Sequence, residues 1–286
     1  MKLKLVKSTW GMTGTLAENL RRIAEAGYTA VEMQLPPDEV LPEFRSLLKE
    51  TKLEYVAMVI TLTDDHLNEF KAKVEKARAL EPLQLTVHAG KDWWPWETQR
   101  AFFAEALEIE RQTGLVINHE THRGRPMFTP AATARLLREF PALHINADFS
   151  HFCNVCESLL EDQTEDMQLC IARARHLHGR VGHEEGPQVN DPRAPEWARQ
   201  LAAHEDWWAA IIRARRQANA SYFTFNPEFG PPNYMPTLPY TNQPLSDLWA
   251  VCGWMAERFK QLYQTTLAGD AGGRVTAPKP AAPSRR

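Results

Sequence analysis

Residues 115–120 read LVINHE, and this stretch carries the pattern that decides the fold. Successive side chains of a β-strand point to opposite faces, so Asn118 and Glu120 share one face while Ile117 lies on the other. Aliphatic and polar faces need different surroundings. We therefore predict a strand here, the fifth of the chain, with packed helices on its aliphatic side and a polar environment on its other side.

The same alternation recurs in β-like runs before and after this stretch. The polar sets are Glu32 and Gln34; Gln84, Thr86 and His88; His144, Asn146 and Asp148; His176, His178 and Arg180; and Thr224, Asn226 and Glu228. In a closed barrel the outward face packs on helices and must be apolar, so the polar face must be the inside. The recurrence favours a closed barrel over an open sheet.

Eight β-like runs alternate with longer helical patterns, which is typical of βα units and a parallel sheet. The predicted strands are Leu3 to Thr9, Ala30 to Gln34, Glu54 to Thr61, Leu83 to His88, Leu115 to Glu120, Leu143 to Asp148, His176 to Gly182 and Tyr222 to Glu228. No glycine-rich phosphate loop of an open nucleotide-binding sheet follows the first strand. We predict an α/β fold, a single-domain (β/α)8 TIM barrel.

Helix punctuation supports this division of the chain. Thr129 followed by Pro130 is typical of a helix start, and Gly27 and Gly114 fall where helices are expected to end. Beyond Leu267 the sequence is rich in Gly, Ala, Pro and Arg and has no periodicity. The barrel is therefore predicted over residues 1–267, and a disordered tail over residues 268–286.

Composition excludes some classes of protein. The chain of 286 residues has 43% hydrophobic and 24% charged residues and a net charge of -3, with a pI near 6.4. A nucleic-acid-binding protein usually carries a basic surface and a high pI, so no nucleic-acid partner is expected. No signal-peptide h-region and no membrane-length apolar segment is found, so we expect a cytoplasmic protein without a membrane partner.

Many inward-facing acids and imidazoles would be costly to bury without partners. Eight of the ten histidines fall between positions 88 and 183, at or just beyond predicted strand ends. They are His88, His119, His122, His144, His151, His176, His178 and His183. A bound cation is the simplest compensation for these groups. Carboxylates with one imidazole suit one divalent metal ion, Mn, Mg, Co or Zn.

Four motifs carry a resemblance to a known family over roughly residues 1–265. They are Asn118-His119-Glu120, Asp148-Phe149-Ser150-His151, His176-Leu177-His178-Gly179-Arg180 and Asn226-Pro227-Glu228. In this order and spacing they resemble the xylose isomerase-like TIM barrels, the sugar phosphate isomerase/epimerase superfamily that includes the tagatose and psicose 3-epimerases. The resemblance implies that Glu120, Asp148, His178 and Glu228 bind the metal ion. It also implies a small sugar or polyol substrate and is compatible with a homo-oligomer.

The resemblance further implies isomerase or epimerase activity, in which a metal-chelated carbonyl acidifies the neighbouring C–H through an enediolate. Glu120 and Glu228 are expected to double as the acid/base groups. His88, His151 and Arg180 are expected to orient substrate hydroxyls, and Trp10 and Trp93 to stack on the sugar. One position departs from the 3-epimerases: where they carry a substrate-contacting arginine after the metal histidine, this chain has Glu184.

The sequence is also compatible with other functions. A lyase or dehydratase fits the same scaffold, because an enediolate can also expel a β-hydroxyl. A barrel that binds a metal or sugar without turnover, or an interior of polar residues without metal, is a non-enzymatic alternative. The related endonuclease IV type uses more histidines for three zinc ions and a basic DNA-binding face, which the acidic balance disfavours.

Overall fold

The computed structural model describes residues 1–272, and over these residues the parallel strands close into a barrel in the order β1-β2-β3-β4-β5-β6-β7-β8. The strands are β1 Lys2–Ser8, β2 Ala30–Gln34, β3 Glu54–Ile60, β4 Gln84–His88, β5 Ile117–Glu120, β6 Ile145–Ala147, β7 Ala174–His178 and β8 Tyr222–Asn226. The barrel closes by parallel pairing of β1 with β8, in which Lys2 lies opposite Tyr222 and Leu5 opposite Phe225. The predicted (β/α)8 fold is confirmed.

Helices surround the barrel and cover its outer face. They are α1 Leu16–Glu25, α2 Leu41–Thr51, α3 His66–Arg78, α4 Trp96–Thr113, α5 Pro130–Glu139, α6 Ser150–Cys156, α7 Thr164–Arg173, α8 Ala198–Gln217 and α9 Leu248–Gly272. Helix α9 continues past residue 267, where the sequence predicts the tail to begin. The rest of that predicted tail, residues 273–286, lies outside the described residues. No helix within residues 1–272 combines the length and apolar character needed to cross a lipid bilayer.

The main hydrophobic core lies between the strands and the helices. Phe225 of β8 is fully buried and stacks on Phe259 of α9 with ring centroids 3.7 Å apart. The inside of the barrel is polar instead, as the alternating pattern predicts. Its fully buried polar side chains include Glu32, Thr86, Asn118, Asn146, His176, Thr224 and Asn226.

His144 departs from the predicted alternation. It precedes β6 and lines a surface groove with Arg111 and Arg175, instead of facing the barrel interior. A register irregularity between Ile145 and Asn146 interrupts the pairing of β6 with β7. Because such an irregularity breaks the period-two pattern, side chains before it need not share a face with those after it.

The predicted start of α5 is confirmed. The Thr129 side chain accepts a hydrogen bond from the backbone N–H of Ala132 at 3.1 Å, and Pro130 occupies the first helical turn. Replacing Thr129 with alanine leaves that N–H without its cap, which should lower the free energy of unfolding by about 1 kcal/mol. Urea unfolding of the full chain measures this change. Thr129→Ser keeps the hydroxyl and serves as the control, and equal losses in both variants would contradict the capping role.

Candidate metal centre and active site

The four residues predicted to bind metal meet at the carboxyl-terminal end of the barrel. Each offers a ligand atom, and the ligand atoms of Glu120, Asp148, His178 and Glu228 all lie within 4.8 Å of one another. All four side chains are buried. Glu120 ends β5 and His178 ends β7, whereas Asp148 directly follows β6 and Glu228 lies two residues after the end of β8. Parallel strands thus deliver all four side chains to one end of the barrel.

His178 is the centre of this group. Its Nδ1 atom lies 2.8 Å from a Glu228 oxygen and 3.2 Å from a Glu120 oxygen, without hydrogen-bond geometry to any described residue. Burial would lower the pKa of His178, but the carboxylates of Glu228, Glu32 and Glu120 raise it well above its ordinary value. A nitrogen surrounded by carboxylate oxygens is the environment that a divalent cation needs. The donor set therefore fits a metal ion.

Arg180 supplies a second positive charge beside the same carboxylates. Its Nη2 atom lies 2.6 Å from a Glu228 oxygen and 3.1 Å from an Asp148 oxygen. The guanidinium also packs near the rings of Trp10 and Tyr234, 5.3 and 4.7 Å from their centroids. Its Nη1 atom is buried without a hydrogen-bond partner among the described residues. Arg180 therefore neutralises two predicted ligands and retains one buried donor that no described residue uses.

The charges of the acids are set by these neighbours. Burial would raise the pKa of Glu120, but His88 and His178 outweigh it and hold that pKa well below its ordinary value. Burial raises the pKa of Asp148 to about 6, even though Arg180 opposes the change. His178 and Arg180 overcome the burial of Glu228 and hold its pKa below the ordinary value. Glu120 and Glu228 are therefore carboxylates at neutral pH.

A cavity of about 440 Å³ opens directly above this group. Glu120, Glu228 and Arg180 line one side together with His88, His122 and Tyr234. The part of the lining that comes from the ends of β2 and β3 and the loop after β2 is apolar except for Gln34. Its apolar residues are Met33, Leu35, Pro36, Pro37, Met58 and Ile60. The volume suits a small molecule that presents polar atoms on one side.

Trp10 lines this cavity, in agreement with its predicted position beside the substrate. Its indole packs so closely on Gly230 that a Cβ atom there would lie 2.2 Å from the ring, so residue 230 must be glycine for Trp10 to keep this place. Trp93 does not join it: the side chain is 73% exposed and lies outside the cavity lining. The next tryptophan, Trp94, turns inward onto His66 and Phe102. The sequence places Trp93, Trp94 and Trp96 close together, and it does not indicate which of these side chains turns inward.

The two histidines predicted to contact substrate differ in their distance from the cavity: one lines it and the other is buried behind its wall. His88 lines the cavity and its Nε2 atom lies 2.6 Å from a Glu120 oxygen. His151 is fully buried behind His122, with ring centroids 3.9 Å apart, and neither of its ring nitrogens has a hydrogen-bond partner among the described residues. Burial and the neighbouring His122 hold the pKa of His151 well below its ordinary value. His88 reaches a bound molecule directly, whereas His151 lies behind the cavity wall.

His119 follows the alternation and faces away from the site. Its ring packs against Phe103 and Phe70, and burial lowers its pKa to about 3. As the pH falls from 6.5 toward 3, the unfolded chain binds a proton that folded His119 does not. Stability is therefore lost in this window, by about 1.4 kcal/mol per pH unit from this group. The loss should be smaller in His119→Leu, measured by urea unfolding at pH 7, 6 and 5.

Phe103→Leu is the matched control for this prediction, because it alters the same aromatic cluster without removing a titratable group. An unchanged slope of stability against pH in His119→Leu would contradict the prediction.

Two residues close to the predicted ligands were not assigned to the site from the sequence. Tyr234 lies in the long loop between β8 and α9 and contacts the Arg180 guanidinium. Glu32 was predicted only as an inward-facing polar residue, yet its carboxylate lies 2.9 Å from His178 Nε2. The loop residue has no periodic signal in the sequence, and the pairing of Glu32 with His178 joins strands far apart in the chain.

A closed parallel barrel with acids and an imidazole at its carboxyl-terminal end defines the class of (β/α)8 barrels with a candidate metal centre. Within this class, the chain belongs to the xylose isomerase-like TIM barrel family, whose model matches residues 20–183. A search of curated protein sequences finds no match.

Solved structures of similar fold include two named for sugar 3-epimerases and one named for a dehydratase. A D-tagatose 3-epimerase-like protein is 14% identical, with a TM-score of 0.63 over 93% of this chain and 99% of its own. A D-allulose 3-epimerase from Methylomonas sp. in complex with D-allulose is 17% identical, with a TM-score of 0.57 over 92% and 98%. The probable 3-DHS dehydratase AsbF from Bacillus anthracis is 17% identical, with a TM-score of 0.55 over 81% and 94%. At these identities the likeness shows the fold.

Proposed function

We propose that the protein is a divalent-metal-dependent isomerase or epimerase of a sugar or sugar-like polyol. The observation that carries this proposal is the meeting of Glu120, Asp148, His178 and Glu228 within 4.8 Å beside a small-molecule cavity. The family and the sugar epimerases among the similar folds support the substrate class. The substrate is a small molecule, and the proposal includes neither nucleic acid nor membrane.

The four residues would hold one divalent ion, Mn, Mg, Co or Zn. When bound, the ion would supply Lewis acidity to a carbonyl and a neighbouring hydroxyl of the substrate. Three carboxylates and one imidazole nitrogen offer it mostly oxygen ligands, which favours the harder ions of this group.

Proton transfer falls to the two glutamates that line the cavity. Glu120 and Glu228 reach it from β5 and from the end of β8, which are not neighbours in the barrel, so they approach a bound molecule from different directions. A carboxylate held in its charged form beside His178 is a base that removes a proton from the carbon next to a carbonyl. The opposite glutamate, or the same one, returns the proton to complete isomerisation or epimerisation.

Arg180, His88 and Trp10 orient the substrate in this proposal. Arg180 and His88 line the cavity beside the two glutamates. Trp10 offers an aromatic face to sugar C–H groups and excludes water from the reacting carbon. His151 acts from behind the wall through its contact with His122.

Elemental analysis of the purified protein tests the metal site first. The expected result is about one divalent ion per chain in the wild type and much less in Asp148→Ala, because that ligand is lost. Glu185→Gln, an exposed acid on a loop at the same end of the barrel, should retain the metal. Full retention by Asp148→Ala would remove the proposed site.

Incubation with a panel of keto-sugars in deuterated water tests the chemistry. Incorporation of one deuterium, detected by mass spectrometry, is expected for the isomerase or epimerase. A product lighter by one water would instead indicate a dehydratase, the reaction that the name of AsbF describes for that protein. Metal binding without exchange across the panel would favour a non-catalytic binding protein.

A further inference from the structure

Glu32 is a carboxylate buried beneath the candidate metal centre and outside the cavity lining. It lies in β2, is fully buried, and is not one of the four predicted ligands. Its Oε2 atom accepts a hydrogen bond from Asn226 Nδ2 at 2.7 Å and lies 2.9 Å from His178 Nε2. A buried carboxylate is costly unless hydrogen-bonding partners surround it. These contacts satisfy Oε2, whereas Oε1 is buried without a hydrogen-bond partner among the described residues. Its place therefore needs a functional or structural reason.

The two nitrogens of the His178 ring face different groups. Nε2 faces Glu32, whereas Nδ1 faces Glu228 and Glu120. The partner of one ring nitrogen decides which nitrogen carries the hydrogen and which offers a lone pair. An Nε2–H donated to Glu32 leaves the Nδ1 lone pair directed at the candidate metal position.

Glu32 itself is held firmly in this place. Asn226 donates to its carboxylate, and the other end of the Asn226 amide accepts the backbone N–H of Ser8 at 3.3 Å. His176 approaches the same oxygen at 3.4 Å, while its other nitrogen contacts Thr224 at 2.8 Å. Residues of three strands, β2, β7 and β8, and the backbone of β1 fix the carboxylate. A rigid partner of this kind sets both the rotation and the tautomer of His178.

We propose that Glu32 is a positioning residue of the metal centre, which accepts the Nε2–H of His178 and so presents Nδ1 to the ion. The inference rests on the metal site of the proposed function and adds to it a residue that touches neither metal nor substrate. Outer partners of metal-binding histidines raise the basicity of the ligand and fix its orientation. Loss of Glu32 is therefore expected to weaken metal binding without removing a ligand.

A different arrangement would place a cation between Glu32, His176 and His178, whose ligand atoms also lie within 4.8 Å of one another. Two observations favour the positioning role. The upper group of Glu120, Asp148, His178 and Glu228 offers three carboxylates and reaches the cavity lining. Glu32, His176 and His178 offer one carboxylate, and none of the three lines the cavity. Metal analysis of the Asp148→Ala variant separates the two arrangements, because Asp148 belongs only to the upper group.

The test is calorimetric titration of Mn²⁺ into the chelator-treated full chain. Glu32→Gln keeps the shape of the side chain and removes its charge, and its affinity for Mn²⁺ is expected to fall about 10- to 100-fold. Glu54→Gln is the matched control: Glu54 also belongs to a barrel strand, but it starts β3 and pairs with Lys4 at the opposite end of the barrel. The control should bind Mn²⁺ like the wild type.

Two further measurements distinguish positioning from general damage to the fold. The visible spectrum of the Co²⁺-loaded protein should change in Glu32→Gln, because the orientation of a ligand to the ion changes. Circular dichroism shows whether the variant folds. If it does not, Glu32→Asp replaces it: the shorter side chain keeps the charge but withdraws from His178 Nε2, and its Mn²⁺ affinity is expected to fall as well.

Each outcome separates this inference from the proposed function. Absence of Mn²⁺ binding by the wild type would overturn the metal site itself. Binding by the wild type and equal binding by the folded Glu32→Gln variant, or by Glu32→Asp in its place, would overturn only the role of Glu32. Metal retained by Asp148→Ala but lost from Glu32→Gln would overturn positioning and make Glu32 a direct ligand.

Discussion

Replacing Glu228 with glutamine is expected to slow deuterium exchange into a reactive keto-sugar by about a thousandfold, within the range of general acid–base catalysis. The amide keeps an oxygen near His178 and Arg180 but cannot accept a proton from carbon. Glu120→Gln should behave similarly, since both glutamates line the cavity. The measurement is the exchange rate at saturating Mn²⁺, which compensates for weaker metal binding.

Glu185→Gln is the control, because this acid is exposed on a loop at the same end of the barrel. It should exchange deuterium at the wild-type rate. Wild-type exchange in both Glu120→Gln and Glu228→Gln, with metal bound, would show that another group carries the proton.

Replacing Arg180 with methionine should have the largest effect on stability. The guanidinium is 2% exposed and pairs with Asp148 and Glu228 inside the barrel. Removing one partner of a buried ion pair leaves uncompensated charge, so the free energy of unfolding of the metal-free protein should fall by about 3–5 kcal/mol. A divalent ion at the proposed site would neutralise the same carboxylates. It should therefore stabilise the variant more than the wild type.

Urea unfolding with a chelator and then with saturating Mn²⁺ measures both effects. Arg111→Met is the control, because Arg111 pairs with Glu108 on the exposed face of α4 and should change stability little under either condition. Equal responses of the two variants to Mn²⁺ would contradict the proposed sharing of the carboxylates between arginine and metal.

The fold could be predicted because the strands carry their positions in a local pattern. Asn118 and Glu120 share one face of β5 and Ile117 lies on the other, and the same kind of alternation in six strands requires a polar interior. The ends of the strands were harder to place. β7 begins at Ala174 and ends at His178, whereas the sequence predicts a strand from His176 to Gly182. Backbone hydrogen bonding between strands determines where each strand ends, and the residue types at these positions predict it poorly.

The candidate site was predictable where residues end strands and unpredictable where loops bring residues back. Glu120, Asp148, His178 and Glu228 meet because parallel strands end together at one rim. Tyr234 reaches Arg180 from the loop before α9, and Trp94 rather than Trp93 turns inward. The bond between Glu32 and His178 spans 146 positions of the sequence. No local pattern encodes such a pairing.

The pairing of β1 with β8 also bears on how the molecule is made. During synthesis β1 can pair with β2, but it cannot pair with β8 until Tyr222 to Phe225 have left the ribosome. Until then the sheet keeps an open edge that invites association with other chains. Glu228 emerges with the strand that seals this edge, so the four candidate ligands come together only after β8 has joined the barrel.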